Sequence, residues 1–380
     1  MVNMVFLLLL LVLIGLETTG TAQSLGVCYG RVANNLPSAE EVIDLYKING
    51  IGRMRIYDPD QATLEALRGS NIELVIGVRN EDIQSIAYSV SSATNWVQNN
   101  ILKYSQDVKF RYIVVGNEIN PSNDATSKFV LLAMQNIYTA LASSNLQNQI
   151  KVSTAIQMNL LGSSYPPSQG VFSPSSISYI IPIVKFLVDN EAPLLANVYT
   201  YFSYISDTKD IDLSFALFTS TTIKVHDGQY AYQNLFDATL GALYAALEKI
   251  GGANLEVVVS ESGWPSDGGV AASIENAQIY HENLIKHVIT GTPNRPNQAL
   301  ETYLFAMFDE NNKGPDETER HYGLFTPDKQ IKYQIGQLFI SSDSRSSSSH
   351  LWREGIIFSY CFTLIISLLY LINCYMGIVY

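Results

Sequence analysis

Eight short apolar runs punctuate residues 25–310, and stretches of helical periodicity separate them. The runs are LGVCYG (25–30), RMRIYD (53–58), IELVIGV (72–78), RYIVVGNE (111–118), IKVSTA (150–155), LLANVYT (194–200), LEVVVSE (255–261) and TYLFAMFDE (302–310). Val, Ile and Tyr dominate them, with little polar alternation. That is the pattern of strands covered on both faces, as in a parallel sheet. Residues 127–143 carry Val130, Met134, Ile137 and Leu141 at helical spacing. Residues 271–289 carry Ile274, Ala277, His281, Leu284, Ile285 and Val288 on one stripe, where His281 is expected to be structural.

Repeated strand–helix alternation predicts an α/β fold, a single closed (β/α)8 barrel of the TIM type. A doubly wound sheet would also alternate. Its dinucleotide site is absent, because YGRVANN after the first run carries no G-x-G-x-x-G pattern. Hydrophobic residues make up 47% and charged residues 15%, enough apolar material for a large core and too few charges for disorder. The net charge of -12, without a basic stripe, excludes nucleic acid as the expected partner.

The two ends read differently from the middle. Residues 5–16 are apolar, and Gly20 and Ala22 precede Gln23 at the spacing of a cleavage site, so residues 1–22 are expected to be a secretory signal peptide. Residues 23–340 are the expected catalytic domain, and residues 341–355 a Ser-rich linker. Residues 356–380 run uncharged to the last residue. This tail is long enough for a transmembrane helix and also fits a glycolipid-anchor signal, which the lack of a following Lys or Arg favours; a cleaved propeptide is the third alternative. The expected location is therefore secreted, at the cell wall or on the outer face of the plasma membrane. Of the three cysteines, Cys361 and Cys374 fall in the tail, which leaves Cys28 alone and expected to be a buried thiol.

A barrel gathers its functional groups where strands end. Here Tyr57, Asn117, Glu118, Tyr199, Glu261 and Glu310 stand at or near run ends. Two carboxylates from different strands facing each other across a barrel mouth suit glycoside hydrolysis. One, kept protonated, donates to the leaving oxygen, and the other attacks the anomeric carbon or activates water. No Lys or Arg adjoins Glu118 or Glu261, which argues against ordinary ion pairs. The chain lacks a D-x-D-x-D loop or an H-x-x-E-H cluster, so no metal and no cofactor are expected. In VVVSESGWPS (257–266), Gly263 is expected to free the chain to turn after the acid, and Trp264 to be either core or cleft wall.

VVVSESGWPSDGG and VVGNEINP, with GVCYGRVANNLPS, MRIYDPD, SYPPSQGVFS, NVYTYFSY, FAMFDENNK and ERHYGLFTPD in order, closely resemble the plant β-1,3-glucanases of glycoside hydrolase family 17. The resemblance spans nearly all of residues 25–340. It implies a retaining endo-hydrolase of β-1,3-glucan, with Glu261 as nucleophile and Glu118 as general acid/base. It further implies that Asn117 contacts the sugar 2-OH, that Tyr57 and Tyr199 are cleft aromatics, and that Glu310, Lys313 and Glu319 surround the nucleophile. The expected partner is a β-glucan and the expected state a monomer; membrane attachment through the tail is a separate expectation from the tail's own sequence. Mixed 1,3;1,4-β-glucan cleavage, transglycosylation and glucan binding without turnover remain open alternatives.

Overall fold

The computed structural model describes residues 25–334. The expected signal peptide (1–22), Ser-rich linker (341–355) and apolar tail (356–380) lie outside the described residues. All eight runs form strands of one closed parallel barrel. They are β1 (Leu25–Cys28), β2 (Arg53–Ile56), β3 (Glu73–Val78), β4 (Lys109–Asn117), β5 (Lys151–Gln157), β6 (Leu194–Asn197), β7 (Val257–Ser262) and β8 (Thr302–Leu304). Each pairs in parallel with its sequence neighbours, and β1 closes the ring on β8.

Side chains alternate between two apolar environments. On β3, Leu74 and Ile76 pack outward against the helices, while Val75 joins the interior. On β7, Val257 and Val259 face outward and Val258 inward. Both faces are dry, which is why the runs show no polar alternation. Helix α1 (Ser127–Ala142) buries Val130, Met134, Ile137 and Leu141 against the barrel. Helix α2 (Ile274–His287) starts from Ser273, whose side chain accepts from Asn276 N as an N-cap. Within its apolar stripe Ile274 departs from expectation: it lies in the first turn and is 54% exposed. His281 is fully buried, with Nδ1 2.7 Å from Ala277 O, and burial pulls its pKa down to about 4.

A charged cluster lies at the N-terminal end of the barrel. The Glu301 carboxylate accepts from Arg111 Nη2 at 2.5 Å, Tyr303 OH at 2.9 Å and Tyr112 OH at 3.2 Å. Three two-stranded antiparallel ribbons decorate the barrel, among them Leu161–Ser163 with Val171–Phe172. Their strands of two or three residues are too short to show a period in sequence.

The strands that deliver Glu118 and Glu261 are irregular at their tips. On β7 the pairing passes from Val259↔Ala196 to Glu261↔Asn197, so two steps on β7 oppose one on β6. On β4 it passes from Val114↔Ser153 to Asn117↔Ala155, three steps against two. Each bulge inserts one residue and re-aims the side chains beyond it. In regular alternation Glu261 would point outward like Val257 and Val259. The bulge instead turns it inward beside Ser260, and Ser262 faces outward to Tyr280.

Candidate active site

Gly116 absorbs the β4 bulge with φ +89°, and Glu118 follows with φ +56°. A left-handed glutamate is a strained residue, of the kind that clusters at functional sites. It is held there by its N–H, which donates to Ala155 O at 2.9 Å, and its carbonyl, which accepts from Gln157 Nε2 at 3.3 Å. Asn80 braces the preceding residue in both directions: its Nδ2 donates to Asn117 O and its Oδ1 accepts from Asn117 N, each at 3.0 Å.

The Glu118 carboxyl is raised from 4.5 to about 7. Burial is the main cause and the charge of Glu261 adds to it, while Asn197, Arg55 and Lys313 pull the other way. A carboxyl in this setting carries a proton near neutrality.

Glu261 is 5% exposed and three donors converge on it. Its Oε1 accepts from Arg55 Nη1 at 2.8 Å and Tyr57 OH at 2.9 Å, and its Oε2 from Tyr199 OH at 2.6 Å. An ion pair therefore exists where the neighbouring sequence offered no cation. Its partner comes from β2, across the barrel. Arg55 is 1% exposed, and Nη2 also donates to Asn117 Oδ1 at 2.6 Å.

Tyr57 and Tyr199 stand at the cleft as expected, with their hydroxyls committed to Glu261. Their rings meet Phe305 edge-on at 6.4 and 6.1 Å, and Tyr322 packs on Phe305 at 5.5 Å. Phe305 thus centres an aromatic floor. Lys313 Nζ stands 4.0 Å over its ring centroid, a cation–π contact, and 3.2 Å from Glu319 Oε2. Glu310 lies beyond the end of β8 but returns to the site. It is 3% exposed and its Oε1 accepts from Val32 N at 2.7 Å, which makes it a brace for the loop after β1.

Glu118, Glu261, Asn117, Tyr57, Tyr199, Glu310, Lys313 and Glu319 all line one cleft of about 830 Å³. Arg31, Asn159, Phe202 and Ser206 extend its walls. Trp264 is fully buried core, with Nε1 donating to Ala271 O at 2.9 Å. Gly263 has no positive φ. It is glycine for space: a Cβ there would lie 2.2 Å from Phe305 O. Cys28 is buried, and desolvation pushes its thiol up to about 12. Among the described residues no three His, Cys, Asp or Glu side chains are grouped to hold a metal.

Sequence reasoning missed Arg55, Asn80, Asn197, Phe305 and Tyr322. Arg55 and Asn197 did carry a signal, as polar residues inside runs otherwise built for burial.

Residues 25–337 match the family described as the glycosyl hydrolases family 17. A glucan endo-1,3-beta-glucosidase of Vitis vinifera is 60% identical over 333 residues, covering 87% of this chain and 96% of the relative. An acidic isoform of glucan endo-1,3-beta-glucosidase from Nicotiana tabacum is 54% identical, covering 87% and 97%. A β-1,3-glucanase and pollen allergen of Cryptomeria japonica superposes with a TM-score of 0.80 at 47% identity, over 83% of this chain and 99% of that one.

Proposed function

This chain belongs to glycosyl hydrolases family 17, and we propose that it is a retaining endo-β-1,3-glucanase in which Glu118 is the acid/base and Glu261 the nucleophile. The observation that carries the assignment is the contrast between two carboxyls in one cleft. Burial and a neighbouring charge raise Glu118 to about 7, while three donors address both oxygens of Glu261. One is built to hold a proton and the other to present an oxygen to carbon.

A glucan chain lies in the cleft with its scissile bond between the two groups. Glu118 gives its proton to the glycosidic oxygen as the C1–O bond breaks. A Glu261 oxygen forms a bond to C1, and the aglycone leaves as an alcohol. Water then attacks C1, Glu118 takes its proton, and Glu261 is released, so configuration is retained. Tyr57, Tyr199 and Arg55 hold the Glu261 carboxylate, so that little reorganisation is needed at the moment of attack. Asn117 stands beside the acid to meet the sugar 2-OH, and the aromatic floor receives a pyranose face.

The test is release of reducing ends from laminarin-type glucan by the wild type and by Glu261→Ala, with the anomer of the first product followed by NMR. A β-configured product from an active wild type supports the reading. An inactive wild type would sink it, and an α-configured product would sink the mechanism. The same assay on mixed-linkage glucan and with oligosaccharide acceptors separates the hydrolase from its mixed-linkage and transferase variants. The apolar patterns of residues 1–22 and 356–380 support a secreted protein with a candidate anchor at its tail. Release from membranes by a phosphatidylinositol-specific phospholipase, rather than by detergent alone, tests a glycolipid anchor against a spanning helix.

A further inference from the structure

Asn197 closes β6 between the strands that carry the two acids, and it is 2% exposed. Its Nδ2 donates to Glu118 Oε1 at 2.9 Å and approaches Asn117 Oδ1 at 3.4 Å. Its Oδ1 accepts from Ser260 Oγ at 2.7 Å and from Arg55 Nη1 at 3.1 Å. Arg55 has no lone pair to offer, so the amide cannot be reversed without setting two donors against each other. Chemistry therefore fixes which end of Asn197 meets Glu118.

We propose that Asn197 is the positioning residue that assigns the proton of Glu118 to one oxygen. Oε1 is kept as an acceptor by the amide, so the acid's proton rides on Oε2. In the first step the Oε2–H bond breaks, the proton joins the glycosidic oxygen, and the C1–O bond opens as Glu261 bonds to C1. In the second step Oε2 receives the proton of the attacking water. The same side chain links the acid to the nucleophile, because Arg55 Nη1 touches both Asn197 and Glu261. The proposal rests on Glu118 being the acid/base.

The charges facing Glu118 are Glu261 on β7, Arg55 on β2 and Lys313 from the loop after β8. All remain in Asn197→Asp, which keeps the size and the acceptor for Arg55 and Ser260 but replaces the donor to Glu118 with a carboxylate, a further negative charge facing it. Asn197→Ala removes the donor without adding charge, and with it the acceptor for Arg55 and Ser260. The readout is kcat/KM on laminarin-type glucan and on 2,4-dinitrophenyl β-laminaribioside, whose leaving group departs without acid help. Both variants are expected to lose roughly a hundredfold on glucan, the cost of a misplaced catalytic group. On the aryl glycoside both should lose far less than on glucan, since that route does not use the acid. The alkaline limb of the glucan profile should move to higher pH in Asn197→Ala, because a hydrogen bond favouring ionised Glu118 is gone, and further in Asn197→Asp, where a like charge is added. Equal losses on both substrates, or an unmoved alkaline limb, would overturn the proposal and leave Asn197 a structural residue. A wild type inactive on both substrates would overturn it together with the function on which it rests.

Discussion

Arg55 Nη1 lies 2.8 Å from Glu261 Oε1, and the guanidinium is sealed inside the barrel beneath the cleft. The pair joins β2 to β7. Removing one member of a buried pair leaves the other charge uncompensated, at about 3–5 kcal/mol. Arg55→Met should therefore lower stability by that order in urea titration and abolish activity. Arg55→Lys keeps the charge but loses the fork that also reaches Asn117 and Asn197, so kcat should fall further than KM rises.

Tyr199 donates to Glu261 Oε2 at 2.6 Å. Tyr199→Phe keeps the ring in the aromatic floor and deletes only the donor. A hydrogen bond to a charged acceptor contributes about 1.5–3 kcal/mol. Steady-state kinetics should show kcat/KM reduced roughly tenfold to a hundredfold, with the melting temperature lowered by a few degrees. Tyr57→Phe tests Oε1 in the same way.

With Glu118 as the proposed acid, its ionisation should set the alkaline side of the rate profile, because the first step needs its proton and its carboxyl is raised to about 7. The kcat/KM on glucan should fall as pH rises through about 7, and Glu118→Gln should be inactive on glucan at every pH. Stability has the same origin and changes in the same direction. The folded pKa exceeds the ordinary 4.5, so the folded state binds more protons between the two values. Stability from this group is complete below 4.5 and is lost as pH climbs through about 7. Glu118→Gln has no such loss. Its melting temperature relative to wild type should rise across that window, a trend that calorimetry at several pH values would expose or refute.

At Gly263 an added Cβ would sit 2.2 Å from Phe305 O. The obstacle is backbone, which has little room to yield. Gly263→Ala should cost about 1–3 kcal/mol or more and displace Phe305, so both the melting temperature and KM should suffer. A silent substitution would show that the strand end relaxes more easily than its packing indicates.

Most of the architecture was legible because a closed parallel barrel writes its strands as apolar runs and its chemistry at their ends. Glu118 and Glu261 were readable for that reason, and so were Tyr57 and Tyr199. Arg55 was not, because it is separated from Glu261 by 206 positions and becomes its neighbour only when the ring closes. Asn197 was hidden inside LLANVYT, where nothing local says that its amide faces an acid from another strand. The purpose of Gly263 was misread for a related cause: a missing side chain looks the same in sequence whether the chain needs a turn or room. Glu310 stood in the right company, yet its bond to Val32 N was beyond any local pattern.

The extra residue in β4 and in β7 makes the aim of each acid a matter of counting. Shorten either strand by one residue before its tip and the pleat becomes regular, turning β7's carboxylate toward the helices while every side chain keeps its identity. Substitutions at these tips can be graded in effect; deletions cannot. The number of residues before each tip thus matters to the site as much as the acids themselves.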